Sequence, residues 1–187
     1  MPRTRTGQPR PDKEEQILGA AERTVLTQGV ESLSVAAVAR ELGLAPNSIY
    51  WYFPSRDHLI VATARRILGR IIQSESAQDL DGVERILWFV DQMGDLHRVR
   101  FALARRARDA PVLAAFLVEL ATLLRDGLRT ALQPLAAEPD LDLVVDAFIA
   151  VVHDTAGPHL SDVERRGIRK FALDRLLGSP HRLESGN

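Results

Sequence analysis

Hydrophobic residues recur along most of the chain at the three-to-four-residue spacing of one helix face, and strand-like alternation is absent. Proline residues and several glycines fall between these periodic runs. The pattern predicts an all-α protein of about nine helices. Three short elements come first, and a larger bundle of longer helices follows them.

Capping residues predict where several helices begin. Asp12 with Glu15, and Ser161 with Glu164, have the spacing of a capping box. Ser34 and Ser55 are expected to cap a second and a fourth helix. The predicted helices cover residues 12–28, 35–42, 55–73, 97–108, 111–132, 140–152 and 161–177, with a short helix from Pro46 to before Pro54 and one opening at Asp81.

The stretch "SVAAVARELGLAPNSIYWYF" has the pattern of a helix, a glycine turn and a second short helix, as in a helix-turn-helix. Ala39 is small where the two helices would cross, and Gly43 suits the turn. The expected small core consists of Val38, Leu42, Leu44 and Ile49. Four aromatic residues follow in a row, at positions 50–53, and a helix cannot turn all four toward one core. We expect Phe53 to return to the core and the others to face a partner.

In a helix-turn-helix, the second helix enters the major groove of DNA with its N-terminal residues at the base edges. Pro46, Asn47 and Tyr50 would then face the bases, and an asparagine can form two hydrogen bonds with adenine. Other residues would contact phosphates and fix the register. The predicted DNA-binding residues are Ser34, Ala45, Pro46, Asn47, Ser48, Tyr50, Trp51, Tyr52 and Arg56.

Composition and charge limit the function classes. The chain has 187 residues, a net charge of −1 and no cysteine, so thiolate metal sites and cysteine nucleophiles are excluded. Residues 1–13 carry four basic residues and one acidic residue, a formal charge of +3, which suits either a contact with phosphates or a flexible tail. The apolar runs are too short to span a bilayer, and no secretory signal is apparent. We expect a cytoplasmic protein that does not interact with membranes.

Residues 13–60 resemble the DNA-binding region of the TetR/AcrR family of bacterial transcriptional regulators. The resemblance is carried by "ILGAAERTVLTQGVESLSVAAVARELGLAPNSIYWYFPSRDHL", without an insertion. Threonine is frequent in the family where this chain has Ser34, and serine or threonine where it has Ala45. Glycine is common where Asn47 stands, and lysine where Arg56 stands. Ala45 cannot cap a helix, so Pro46 or Asn47 is expected to fix the start of the recognition helix.

The resemblance implies a homodimer that binds a palindromic operator, usually as a repressor, and is released by a small-molecule effector. It implies a basic arm over residues 1–11, a helix-turn-helix domain over 12–54 and a ligand-binding and dimerisation domain over 55–187, with a linker helix over 55–73. The last two long helices would form the dimer bundle. The implied interface residues are Val144, Val145, Phe148, Val152, Ile168, Ala172 and Leu176, although such an apolar stripe also suits a monomer core.

An effector pocket with few polar groups would suit a hydrophobic or amphiphilic small molecule. The pocket candidates are Ile67, Ile71, Trp88, Asp91, Met93, Phe101, Phe116, Leu120 and His153. Core packing is the alternative role for each apolar member. The arginine-rich stretch "HRVRFALARRAR" reads as a solvated face that could also meet an acidic ligand. We expect no cofactor and no bound metal.

Three other functions compete with this interpretation. An enzyme is disfavoured because the sequence has no HExxH, nucleophile elbow, Walker motif or dinucleotide-binding motif. A helical adaptor or small-molecule-binding protein with vestigial DNA binding would be expected to have lost the polar and aromatic surface at 46–52. A transcriptional activator fits the sequence as well as a repressor, because the sign depends on the position of the operator.

Overall fold

The computed structural model describes residues 10–74, 80, 82–137, 139–157 and 159–178 of the chain. Within these residues the protein is all-α, with nine α-helices, one short 3-10 helix (Val30–Ser32) and no strand. The helices are α1 (Arg10–Gln28), α2 (Val35–Glu41), α3 (Pro46–Tyr50), α4 (Arg56–Ile72), α5 (Gly82–Gln92), α6 (Gly94–Arg106), α7 (Pro111–Leu132), α8 (Leu141–Asp154) and α9 (Asp162–Gly178). The predicted fold class is confirmed.

Local capping signals placed most helix starts correctly. The Ser34 hydroxyl accepts from the Ala37 amide, and the Ser55 hydroxyl accepts from the His58 amide. At α9, the Glu164 amide donates to Ser161 Oγ, and the Ser161 amide donates to Glu164 Oε2 at 2.9 Å, which is the complete capping box. The pKa of Glu164 is lowered because its carboxylate accepts hydrogen bonds from the Ser161 hydroxyl, at 2.7 Å, and from the Ser161 amide.

Three helix starts differ from the prediction, and one of them is that of α6, which begins at Gly94 and not at residue 97. Helix α1 begins at Arg10, so Asp12 lies in its first turn and not at the cap position. A carboxylate there still interacts favourably with the positive end of the helix dipole. Asp140 occupies the cap position of α8 without a side-chain hydrogen bond, because its backbone is already helical. The predicted cap Asp81 lies outside the described residues.

The chain forms two compact units. The first contains residues 1–70 and 101–116, and the second contains residues 71–100 and 117–187. Helix α4 as far as Arg70 therefore belongs with the helix-turn-helix, whereas the sequence predicted a boundary before residue 55. The physical reason is an ion-pair network: the buried Glu22 of α1 pairs with Arg66 and Arg70 of α4, at 2.8 Å each. The hydrogen bonds that Arg66 donates to Glu15 and Glu22 raise the pKa of Arg66.

The core of the second unit is built by α5, α7, α8 and α9. Its fully buried members include Leu87, Leu132, Val145, Phe148 and Leu173. Because these residues recur on one side of each helix, the amphipathic pattern of the sequence is sufficient to bury them. In the part of the chain that the structure describes, no helix is both long and apolar enough to cross a bilayer.

A buried arginine joins α9 to α5 and α8 in this unit. Arg169 is fully buried; its Nε donates to Thr155 Oγ1 at 2.9 Å and its Nη1 donates to Asp91 Oδ1 at 3.0 Å. Asp91 also pairs with Arg166, which in turn donates to Glu84 at 2.9 Å. Burial lowers the pKa of Arg169, the carboxylate of Asp91 opposes that effect, and the guanidinium stays charged.

Candidate functional site

The turn between α2 and α3 is fixed by backbone hydrogen bonds around a glycine. The Leu44 amide donates to the Ala39 carbonyl at 2.8 Å, and the Gly43 amide donates to the Arg40 carbonyl at 3.2 Å. This pair of bonds is the Schellman motif, which requires a left-handed residue just past the helix. Gly43 supplies it with a φ of 65°. Ala39 and Ile49 are fully buried, so the two helices of the motif pack closely.

The start of α3 is set by Pro46 and not by a side-chain cap. Ala45 holds the cap position with an extended backbone and makes no side-chain hydrogen bond, and Pro46 occupies the first turn. Ala45, Pro46 and Asn47 are all exposed. The N-terminal end of the short helix therefore presents an amide side chain and two small apolar groups to the surroundings.

The four consecutive aromatic residues divide between core and surface. Phe53 is buried, as expected, while Tyr50 is 47% exposed and Trp51 is 79% exposed. Tyr52 is half-buried. The division arises because the chain leaves the helix after Tyr50: the amides of Tyr52 and Phe53 both donate to the Ile49 carbonyl at 2.9 Å. Two large aromatic side chains are thus left on the surface beside Asn47.

Arg56 is used differently from the expectation. Its Nε donates to the Leu33 carbonyl at 2.6 Å, and its Nη2 donates to the carbonyls of Val30 and Glu31 at 3.0 Å each. The side chain therefore ties the start of α4 to the segment that precedes α2. Its charge lies near the helix-turn-helix, but its donors are directed at protein carbonyls. Ser34 likewise serves as a helix cap, and Ser48 is half-buried.

Sequence reasoning overlooked one cation in this region. Arg40, in the last turn of α2, is exposed and is the single basic residue in the sequences of α2 and α3. Its neighbour Glu41 is paired with Arg23 at 2.5 Å. Arg40 lies within the quoted helix-turn-helix pattern, so the sequence contains this candidate for a phosphate contact. It belongs to α2 and not to the helix that is expected to read the bases.

The second unit contains an apolar cavity between α5, α6, α7 and α8. Its volume is about 60 Å³. The lining residues are Phe89, Val90, Met93, Arg100, Ala121, Leu124, Leu128, Ile149, Val152 and His153. Burial, and then the nearby charge of Arg100, lower the pKa of His153, so its imidazole is neutral at pH 7.

Comparison with known proteins identifies the family. Residues 17–63 match the model of the bacterial regulatory proteins of the tetR family. Over 152 residues the chain is 23% identical to the HTH-type transcriptional regulator BetI of Rhizobium meliloti, spanning 76% of this chain and 75% of that regulator. Residues 17–63 therefore belong to the DNA-binding region of the tetR family. The next curated relatives, at 34% and 35% identity, are matched over about a third of their length.

Solved structures agree with the fold of this chain. A TetR-family regulator from a Rhodococcus species superposes with a TM-score of 0.71 at 18% identity, covering 89% of this chain and 99% of that one. A regulator from Saccharomonospora viridis, solved in complex with choline, gives a TM-score of 0.67 at 17% identity, covering 88% and 95%. At such identities the likeness concerns the fold alone.

The pocket residues predicted from the sequence lie in different parts of the structure. Met93 and His153 line the cavity, and Asp91 belongs to the ion-pair network of Arg166 and Arg169. The others do not line it: Ile67 and Phe116 are buried in the first unit, Leu120 is buried in the second, Ile71 and Trp88 are half-buried, and Phe101 is exposed. The cavity is also lined by Arg100, which lies within "HRVRFALARRAR", and by aliphatic residues of α7, which the sequence does not predict as pocket residues.

The predicted dimer residues also divide. Val144, Val145, Phe148 and Val152 are buried in the core of the second unit, so they have no surface to offer a partner chain. The inward side of α8 is covered by the chain's own helices. The apolar stripe in the sequence predicts that this side is buried, but not whether the same chain or a partner chain covers it. Among the α9 residues of the prediction, Ile168 is 42% exposed, whereas Ala172 and Leu176 are half-buried. Apolar residues that remain exposed on α8 and α9 include Leu143, Val163 and Phe171.

Proposed function

We propose that this TetR-family regulator is a homodimeric repressor that binds a palindromic operator and is released by a small effector in the cavity of its second unit. The observation that carries the proposal is the exposed surface of α3 and of the residue that follows it. There Asn47, Tyr50 and Trp51 are exposed on a helix-turn-helix whose turn and helix starts are fixed by local hydrogen bonds.

Asn47 and Tyr50 are the proposed base-reading residues. An asparagine amide can donate to and accept from an adenine edge, and an aromatic ring can contact a thymine methyl group. Arg40 and Trp51 are proposed to contact the phosphate backbone on either side, which positions the helix without reading sequence. Arg56 contributes indirectly, because its bonds to three carbonyls hold the segment before α2.

Exposed apolar residues on α8 and α9 support a dimer. Val163 is 83% exposed and Phe171 is 62% exposed, and Arg175 lies over the Phe171 ring at 5.3 Å. Together with Leu143 and Ile168, they form the surface that we propose pairs with a second copy. Two copies are needed because recognition helices must lie about 34–36 Å apart to enter successive major grooves.

Helix α6 offers a route from the cavity to the DNA-binding residues. Arg100 lines the cavity, and Arg106, six residues further along the same helix, donates from Nε and Nη2 to Asp57 at 3.2 and 2.8 Å. Asp57 lies in the first turn of α4, next to Arg56. An effector that binds better when α6 is displaced would therefore shift the population toward a state that binds the operator less well.

Choline, the ligand of the Saccharomonospora viridis regulator, is a poor match for this cavity. Quaternary ammonium groups are recognised by several aromatic faces. Phe89 is the single aromatic residue among the described residues that line the cavity. The resemblance to the Saccharomonospora viridis regulator therefore concerns the fold and not the ligand.

Selection of bound duplexes from random DNA, followed by anisotropy titration of the enriched site, tests the proposal. We expect a palindrome with half-sites about one helical turn apart. Asn47→Ala and Tyr50→Ala should each weaken binding by about 10-fold or more, with unchanged helicity. Val118→Ala, at an exposed position of α7, is the matched control and should bind normally. Wild-type affinity of the double variant would contradict the assignment of α3.

A further inference from the structure

A second hollow of the second unit lies at the end of α5, the start of α6 and the first turns of α9. Its volume is about 480 Å³, which is within the size range of small-molecule sites. We call it the polar hollow, because six of its eight lining residues carry polar or charged side chains, namely Asp91, Gln92, Asp162, Arg165, Arg166 and Arg169. Its chemistry therefore differs from that of the apolar cavity.

Arg169 brings a buried hydrogen-bond donor to the polar hollow. Its side chain is fully buried, Nε donates to Thr155 and Nη1 donates to Asp91, whereas Nη2 has no hydrogen-bond partner among the residues that the structure describes. The two oxygens of Asp91 already accept from Arg169 Nη1 and from Arg166 Nη1. Since buried donors are almost always paired in native proteins, an oxygen from a ligand is the group that would complete this guanidinium.

The charges around this donor favour a negatively charged oxygen over a neutral one. Burial is the main reason that the pKa of Arg169 is lowered, and the positive charge of Arg165 lowers it further. Each of these two arginines has a carboxylate partner, but Asp91 is shared with Arg166, and the side chain of Asp162 is 97% exposed, where water screens its charge. A negatively charged oxygen that accepts from Nη2 would offset the repulsion between Arg165 and Arg169, which a neutral oxygen cannot do.

Two helices begin at the polar hollow. Gly94 is the first residue of α6 and Asp162 is the first residue of α9, and both line the hollow. The N-terminus of a helix carries backbone amides without helical partners and a partial positive charge, which favour an anion. A Cβ atom at Gly94 would meet no described group within 4 Å apart from its chain neighbours and its own helix, so the space for a ligand reaches the backbone there.

We propose that the polar hollow binds a small oxyanion, the phosphate or carboxylate group of a metabolite, with one of its oxygens accepting from Nη2 of Arg169. The remaining space suits the uncharged part of the same molecule, since Gln92 and Val163 also line it. The polar hollow shares no lining residue with the apolar cavity. It is therefore a site in addition to the proposed effector site, and it holds whether or not the apolar cavity binds an effector.

Calorimetric titration of the full-length protein with inorganic phosphate and with malonate tests the proposal, with chloride keeping the ionic strength constant. We expect saturable binding of at least one of the two anions at a single site per chain, and the anion that binds more tightly identifies the group that the hollow accepts. Glycerol, a neutral polyol, should bind far more weakly. Absence of saturable binding of either anion to the folded protein would overturn the proposal, since Nη2 would then be left to water. Equal binding of glycerol would overturn the anionic class.

Two substitutions of Gly94 test the position of the site. Gly94 does not have a positive φ, so a side chain can be added there without backbone strain. Gly94→Glu adds a carboxylate to the hollow and should weaken anion binding about 10-fold or more. Gly94→Gln adds a side chain of the same size without the charge and should bind within a few-fold of wild type. Equal anion affinity of the two variants would place the bound anion elsewhere.

Substitution of Arg169 by lysine tests the donor. Arg169→Lys keeps the positive charge and removes Nη2, so anion binding should weaken about 10-fold. Arg125→Gln, which replaces an arginine of α7 that pairs with Asp142 and Asp146 outside the hollow, is the control and should bind normally. If folded Arg169→Lys bound the anion as tightly as wild type, Nη2 would not be the donor. If the lysine prevents folding, the two Gly94 variants decide, because their added side chains enter open space. Operator binding by a protein that binds neither anion would refute this site alone.

Discussion

Asp91 should be a principal determinant of the stability of the second unit, although it lies at the edge of the core. Its carboxylate is the counter-ion of Arg169, which is fully buried, while the Asp91 side chain itself is 26% exposed. Asp91→Asn preserves the shape and removes the charge. Arg169 then keeps its bond to Thr155 but loses the negative charge that compensates its burial.

The expected cost follows from these contacts. Removing one partner of a buried ion pair typically costs about 3–5 kcal/mol. The partial exposure of Asp91 lets water replace part of the lost interaction, so we expect about 3 kcal/mol, the lower end of that range. For a chain of this size, that corresponds to a melting temperature lower by about 6–12 °C. Arg166 retains its bond to Glu84 and adds little to the loss.

Urea and thermal unfolding followed by circular dichroism at 222 nm measure the effect. Glu84→Gln is the matched control: it removes an exposed carboxylate from the same network, and we expect a small change. Hydrogen bonding and charge from Lys170 and Arg166 lower the pKa of Glu84, but water can replace those partners. Combining Asp91→Asn with Arg169→Met should recover much of the lost stability, because no unpaired charge is then buried. A loss below about 1 kcal/mol for Asp91→Asn would refute the reasoning.

Three further outcomes are expected. Phe171→Asp should raise the dissociation constant of the dimer, measured by sedimentation velocity, about 30-fold or more. Val118→Asp, on the exposed surface of α7, should leave this constant unchanged. Equal effects of the two substitutions would place the dimer interface elsewhere. Arg56→Met should cost about 2 kcal/mol in urea unfolding, with partial rescue by Arg56→Lys, and an unchanged midpoint would show that the three carbonyl bonds add nothing. The pKa of His153 is lowered in the folded state. As the pH falls below 6.5, the unfolded chain therefore protonates His153 before the folded chain does, and the free energy of unfolding should decline. His153→Gln should flatten this part of the stability profile, and an identical slope would exclude His153 as the cause of the decline.

The helix-turn-helix could be predicted from the sequence because its determinants are close together in the chain. Ala39, Gly43 and Ile49 fix the crossing, the turn and the core within about three helical turns, and the caps at Ser34 and Ser55 act on amides three residues away. Interactions between residues this close in the chain can be predicted from the spacing of the residue types alone. The same holds for the capping box of α9, where Ser161 and Glu164 bond as their positions indicate.

Tertiary structure alone decided which apolar and charged residues meet. The period of α8 shows that Val145 and Phe148 share a face, but only the packing of α5, α7 and α9 against that face places it in the chain's own core. In the same way, the roles of Arg56 and Asp91 depend on partners 23 and 78 residues away in the chain. The period of apolar residues predicts that one face of a helix is buried. Which elements cover that face, and which charged residues pair, is decided by the packing of the complete fold.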